Sequence, residues 1–202
     1  MEKTQLAQLV CTRISHDIIG NVGAVANALE LFEDGDTDFF DDIRQILSVS
    51  SRVLSARMRF FRLAFGLNNG ALTDNDVVFD TIDNYLQTLG SGNNRFSFLS
   101  DHNTLVEHNK MILIAVMVLA DLLPRGGEIK TCFEGGKLWI AAIAEQYSEQ
   151  KIEAMKDILA GSPNYDADAQ YAHIIYLKEL VSDEYRLSLM DAQGPVLVIS
   201  KK

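Results

Sequence analysis

Cysteine is scarce: there are two in 202 residues, Cys11 and Cys132. Neither belongs to a CxxC pair, so neither a zinc site nor a disulfide framework is expected. Positive charge is also short. Eighteen Lys and Arg face 28 Asp and Glu, for a net charge of -10. The average surface would repel a duplex, which argues against nucleic-acid binding. The local exception is Arg52, Arg57, Arg59 and Arg62, with no acid among them. Long apolar runs are missing too. The longest, Met111 to Ala120, is too short for a bilayer and stops at Asp121. Met1-Glu2-Lys3-Thr4-Gln5 lacks the basic flank and apolar run of a signal peptide. There is no internal repeat, no low-complexity tract and no Gly-x-Ser-x-Gly elbow. These absences predict a cytoplasmic protein without a membrane partner.

What remains is an ordinary globular composition, 48% apolar and 23% charged. Apolar residues recur at helical spacing from about Thr4 to Phe32. Ala7, Cys11, Ile14, Ile18, Val22, Val25, Leu29 and Phe32 form one stripe. Cys11 reads as a small hydrophobe within it. His16 lies about 160° from the centre of that stripe, at about 100° per residue. Gly20 and Gly23 share its side. A second helix is expected from about Phe39 to Phe65, after a turn at Gly35 capped by Thr37 or Asp38. Two long helices on a short turn make an antiparallel hairpin with an apolar face to cover. Pairing two hairpins by two-fold symmetry gives a dimeric four-helix bundle, so a homodimer is expected. The alternative is that the rest of the same chain covers the hairpin.

Gly66-Leu67-Asn68-Asn69-Gly70 reads as a linker, dividing residues 1–67 from 68–202. The second part alternates periods. Helices are expected at Asp74 to Leu89, Glu107 to Leu123, Ser148 to Leu159 and Ala167 to Val181. Strands are expected at Arg95 to Leu99, Ile129 to Phe133, Leu138 to Ala144, Arg186 to Met190 and Val196 to Ile199. Turns are expected at Gly90 to Asn94, Gly135-Gly136 and Gly194-Pro195. Thr73 or Asp74, and Ser148, are the expected caps. The fold class is α+β: a helical hairpin, then a two-layer α/β sandwich on a mainly antiparallel sheet.

Three stretches carry a resemblance. The first is Ile14-Ser15-His16-Asp17-Ile18-Ile19-Gly20-Asn21-Val22-Gly23, continuing to Leu31. The second is Arg59-Phe60-Phe61-Arg62-Leu63-Ala64-Phe65-Gly66, and the third is Leu123-Pro124-Arg125-Gly126-Gly127. Together they resemble the ChpT-type bacterial histidine phosphotransferases. His16-Asp17 also looks like the phospho-acceptor box of sensor histidine kinases. The resemblance implies a dimeric kinase-like bundle followed by a degenerate Bergerat-type domain, similar to a histidine-kinase ATPase domain. It implies a phosphorelay, in which a phosphoryl group passes from the receiver domain of a hybrid histidine kinase to response regulators of the cell cycle. His16 matches the phosphorylated histidine and Asp17 the acid after it. Asn27 and Glu30 match further positions on the first helix. One position departs: the family has proline five residues after the histidine, where this chain has Asn21. Proline there would bend the helix.

Phosphoryl transfer between aspartate and histidine needs in-line approach and charge stabilisation. Neutral imidazole is the nucleophile, and its ordinary pKa of about 6.5 suits pH 7. Asp17 would orient the ring or accept its proton. Arg13, Gly20, Asn21, Gly23 and Asn27 would form the receiver-docking surface, the two glycines allowing close approach or else packing against a neighbouring helix. Arg13, nearly a turn before His16, would meet phosphate oxygens or a carboxylate. Mg2+ is expected on the receiver's carboxylates, with no metal site and no cofactor on this chain. His102, His108 and His173 have no ligand spacing and read as structural, as does Trp139. The rival functions are an ATP-dependent histidine kinase and a docking adaptor without catalysis. No Asp-x-Gly-x-Gly occurs, Met111 to Leu123 contains no asparagine, and both glycine pairs sit in short turns. ATP binding is therefore not expected.

Overall fold

The structure, a computed structural model, describes residues 1–33, 39–67, 70–90, 93–99, 106–191 and 193–202. The expected turn and caps at Gly35, Thr37 and Asp38 lie outside the described residues, as do Asn68, Asn69, Ser91, Gly92 and His102.

Helices α1 (Lys3–Glu33) and α2 (Phe40–Phe65) form the long hairpin. The sandwich follows with α3 (Asn75–Leu86), β1 (Asn94–Phe98), α4 (Asn109–Ala120), β2 (Gly127–Glu134) and β3 (Lys137–Ile143). It ends with α5 (Glu149–Ala160), α6 (Ala172–Val181), β4 (Tyr185–Met190) and β5 (Val196–Lys201). The five strands make one sheet in the order β1-β2-β3-β5-β4. Among the described residues only β1 and β2 run parallel; the other pairs are antiparallel. The β2–β3 turn uses Gly135 and Gly136, both at positive φ (59° and 73°), as a tight two-residue hairpin requires.

The core lies between the sheet and α4. Every residue of α4 from Ile112 to Ala120 is buried, as expected for a helix that is apolar all round. Ile129, Leu138, Ile140, Leu197 and Ile199 face it from the sheet. This core does not stop at the sandwich. Phe60, Phe61, Leu63 and Ala64 at the end of α2 belong to it. Phe60 stacks on Tyr85 of α3 with ring centroids 3.8 Å apart and planes 14° from parallel. On α1, Leu9 and Val10 pack with Ala172 of α6. The foot of the hairpin is therefore covered within one chain. The upper part is not: Val22, Leu29, Leu31, Phe32, Phe40, Ile46 and Val49 are exposed. Cys11, expected among the apolar contacts of α1, is exposed as well.

Two local expectations are corrected. Ser148 precedes α5 but its side chain makes no capping bond. The helix expected from Ala167 starts only at Ala172. Before it, the Asp168 carboxylate accepts from the Gln170 N–H, and a single 3-10 turn forms instead. Asp competes for backbone donors in this way and breaks helical continuity. Asp74 behaves as expected, accepting from the N–H groups of Asp76 and Val77 at the head of α3.

Phe60→Ala should cost about 3–5 kcal/mol, the range for truncating a fully buried aromatic. The shift in urea midpoint reads this, and a loss below about 1 kcal/mol would contradict a shared core.

Candidate functional site

α1 emerges from the sandwich at His16. Leu9 lies seven residues earlier, so by the helical count it is only about 20° from His16. Leu9 is buried against α6, and two turns later the sandwich has ended. This refines the reading of His16 as lying opposite the core: its side of α1 is the packed side, just above the rim. The imidazole is 84% exposed. It lines an open cleft of about 390 Å³ with Thr12, Arg13 and Asp17 of α1, Lys151 of α5, and Ala169 and Gln170. Gly20 and Gly23 continue the same side upward. Apart from their chain neighbours and the adjoining backbone of α1, no heavy atom of the described residues lies within 4 Å of a Cβ built at either. The packing reading of these glycines therefore fails within one chain, and the surface above His16 stays open. Asn21 is half-buried and Asn27 exposed, and α1 runs through Asn21 unbroken.

Asp17 Oδ1 lies 3.6 Å from His16 Nδ1, beside the ring but beyond hydrogen-bond distance. Asp17 is itself held twice. Its Oδ2 accepts from Arg13 Nε at 3.0 Å, and its carbonyl accepts from Arg57. Arg57 also donates to the side chain and carbonyl of Thr88. One member of the arginine run is thus a brace between α2, α1 and the end of α3. Arg59 and Arg62 instead line a separate groove of about 660 Å³ with Ile14, Ser55 and Met58.

Arg13 lines the cleft but already meets carboxylates, one of the two readings given for it. Its side chain is 14% exposed, and Asp17 and Asp121 are 16% and 17% exposed. Nη2 donates to both oxygens of Asp121, each at 3.0 Å, and Nη1 donates to the Gln170 carbonyl at 3.2 Å. Asp121 also lies 3.4 Å from His173 Nε2 and 3.8 Å from Lys151 Nζ. Burial would raise the Asp121 pKa, but the neighbouring positive charges outweigh it and hold it below the usual carboxylate range. Burial pulls His173 down to about 4, against the attraction of Asp121, so its ring is neutral at pH 7. At neutral pH it is Arg13 and Lys151 that keep Asp121 charged.

Sequence reasoning named His16 and Asp17 but not Asp121, Lys151 and Gln170, which the fold brings close to them. One signal was present. Asp121 follows a helix that is apolar from Met111 to Ala120, at its C-terminal end, where the helix dipole disfavours an anion. An acid there needs a cation. His173 is buried, as expected of a structural residue, and so is His108. Trp139 is half-buried in β3. Gly126 and Gly127 lead into β2, and a Cβ at Gly127 would meet the Ile143 carbonyl at 2.6 Å, so close packing requires the glycine. Among the described residues no three His, Cys, Asp or Glu side chains come together as a metal site. Among them, too, no helix is long and apolar enough to cross a membrane.

Residues 87–189 match the family model described as histidine phosphotransferase C-terminal domain. The chain is 37% identical over 134 residues to the Protein phosphotransferase ChpT of Brucella abortus (strain 2308). That match covers 64% of this chain and 61% of the relative, so it spans less than two thirds of the relative's length. In three dimensions the chain is similar to a solved bacterial phosphotransferase, with a TM-score of 0.77. The likeness covers 99% of this chain and 98% of the other at 24% identity, and it establishes the shared fold.

The unfolded chain protonates His173 near pH 6.5, the folded chain only near 4. Between these values the unfolded state holds more protons, so stability falls as pH falls from about 6.5 to about 4. The depressed Asp121 adds to the loss only below the usual carboxylate range. His173→Gln should flatten the upper part of the profile, removing up to about 3 kcal/mol of pH dependence. Urea midpoints of both proteins at pH 7.5, 6 and 5 measure this; parallel profiles would refute it.

Proposed function

This chain belongs to the histidine phosphotransferase family, and from that premise we propose that it is the carrier of a cytoplasmic two-component phosphorelay. His16 accepts a phosphoryl group from a receiver-domain aspartate of a hybrid histidine kinase and passes it to response regulators, of the cell-cycle type implied by the resemblance. The observation that supports this best is the imidazole itself: almost fully exposed, beside a carboxylate that is held through one oxygen.

The chemistry follows from that pairing. With its Nδ1–H turned toward Asp17, the ring presents the Nε2 lone pair to solvent. Nε2 forms a bond to phosphorus as the phosphorus–oxygen bond to the receiver aspartate breaks. The bonding pair leaves with the aspartate carboxylate. The positive charge that develops on the ring is offset by Asp17. The reverse sequence loads the next receiver. Mg2+ would come with the receiver's own carboxylates and neutralise the moving phosphoryl group. Gly20 and Gly23 give the visitor a surface without side chains, flanked by Asn21 and Asn27. The bare upper hairpin is the dimer interface, where two copies close a four-helix bundle.

His16→Ala, mixed with a phosphorylated receiver and Mg2+, should acquire no acid-labile phosphate, whereas the wild type should. Equal labelling of both would remove His16 from the reaction. Wild type that binds the receiver without taking phosphate would make the chain an adaptor. In light scattering the wild type should have about twice the 22.5 kDa mass of the chain, and Leu29→Glu with Phe32→Glu should be monomeric. A monomeric wild type at micromolar concentration would overturn the interface.

A further inference from the structure

We infer that Asp121, on the sandwich, is a positioning residue for phosphoryl transfer at His16. The inference rests on the proposed carrier function. Asp17 can act on the His16 ring only from the side of α1 on which its carboxylate is held, and Arg13 holds it there. Arg13 reaches Asp17 through Nε alone; its two Nη groups are committed to the sandwich, to Asp121 and the Gln170 carbonyl. That division sets the direction of the guanidinium plane. It leaves Asp17 Oδ1 unclaimed by Arg13 and turned toward His16 Nδ1.

Without the Asp121 charge, a mostly buried guanidinium would have a single carboxylate partner. The favoured geometry for such a pair is two parallel hydrogen bonds. Arg13 would then take both oxygens of Asp17 and draw Oδ1 away from the ring. The shift is small in distance, yet displacements of about 1 Å at reacting groups cost up to about 10²-fold in rate. Lys151 and His173 share Asp121, but neither reaches Asp17 in the hydrogen-bond pattern. The communication therefore runs from Asp121 through Arg13 to Asp17. It links the fold of the sandwich to the nucleophile on the hairpin, and it makes no contact with the phosphoryl group.

Phosphoramidate, a small phosphoryl donor that needs no docking surface, reads the reactivity of His16 directly. Phosphohistidine formation can be followed by phosphorus NMR on the full chain. Asp121→Asn should slow it on the order of tenfold, as should Asp17→Asn. The double variant should be no slower than Asp17→Asn, because both changes remove one effect. Arg13→Lys keeps the charge and loses the fork, and should match Asp121→Asn. Nitrogen NMR of the imidazole should show the balance of His16 tautomers changed in Asp121→Asn, which a merely destabilised fold would not produce. An unchanged rate in folded Asp121→Asn or Arg13→Lys, or losses that multiply in the double variant, would overturn the role of Asp121. A wild type that forms no phosphohistidine would instead refute the carrier function beneath it, and the positioning role with it.

Discussion

The foot of the hairpin is buried in the sandwich, and the position of every other element follows from that. Phe60, Phe61, Leu63 and Ala64 are residues of α2 and also core residues of the second half of the chain. With α2 fixed at that end, α1 is fixed beside it, and Leu9 and Val10 pin it to α6. The rim of this shared core decides where α1 leaves protein and enters water. His16 stands one step past the rim and Arg13 one step before it. A single helix turn thus separates a cation held by the interior from an imidazole open to solvent.

Much of this was legible in the sequence, because it is written locally. The extents of α1 and α2 follow from apolar spacing, and five strands fall where β-branched and apolar runs fall. Asp74 caps α3 because an aspartate before a helix accepts from its first N–H groups whatever the fold. The electrostatic support was legible only as an acid at the end of an apolar helix, without its partners. Arg13, Asp121, Lys151 and His173 come from four elements, and no period relates them. Arg57 stood out only as one of four arginines with no acid among them, and the crossing of α2 over α1 turns it toward the Asp17 carbonyl. The start of α6 was misjudged for another reason. Asp168 offers its carboxylate to a local N–H, and a periodicity argument does not see that competition.

The charge cluster also shows which force prevails near the rim. Burying Asp121 disfavours its anion and burying Arg13 disfavours its cation, yet both remain ionised because each is the other's partner. Buried pairs of this kind add little net stability, but removing one partner leaves the other uncompensated. Their value is direction. An arginine with acceptors on three sides has one orientation, and the carboxylate it grips inherits that orientation. His173 has a weaker claim. Its ring gives up its charge on burial and serves as a neutral neighbour whose Nδ1 has no hydrogen-bond partner among the described residues.

An α/β sandwich beside an exposed histidine raises the question of what the second half is for. The glycines that could have cradled a phosphate are used elsewhere: Gly135 and Gly136 turn a hairpin, and Gly127 lets β2 pass the Ile143 carbonyl. Asn109, at the head of α4, is turned inward and donates to Leu72 and Asn75. Each of these groups holds the sandwich together, and the sandwich in turn holds Arg13. A phosphoryl carrier must be open enough to meet two partners in turn and rigid enough to present one nitrogen in one direction. These demands conflict on an isolated helix, where an exposed histidine and its neighbouring acid rotate freely. They are reconciled when the acid is gripped from behind by a folded domain and the ring alone is left in water.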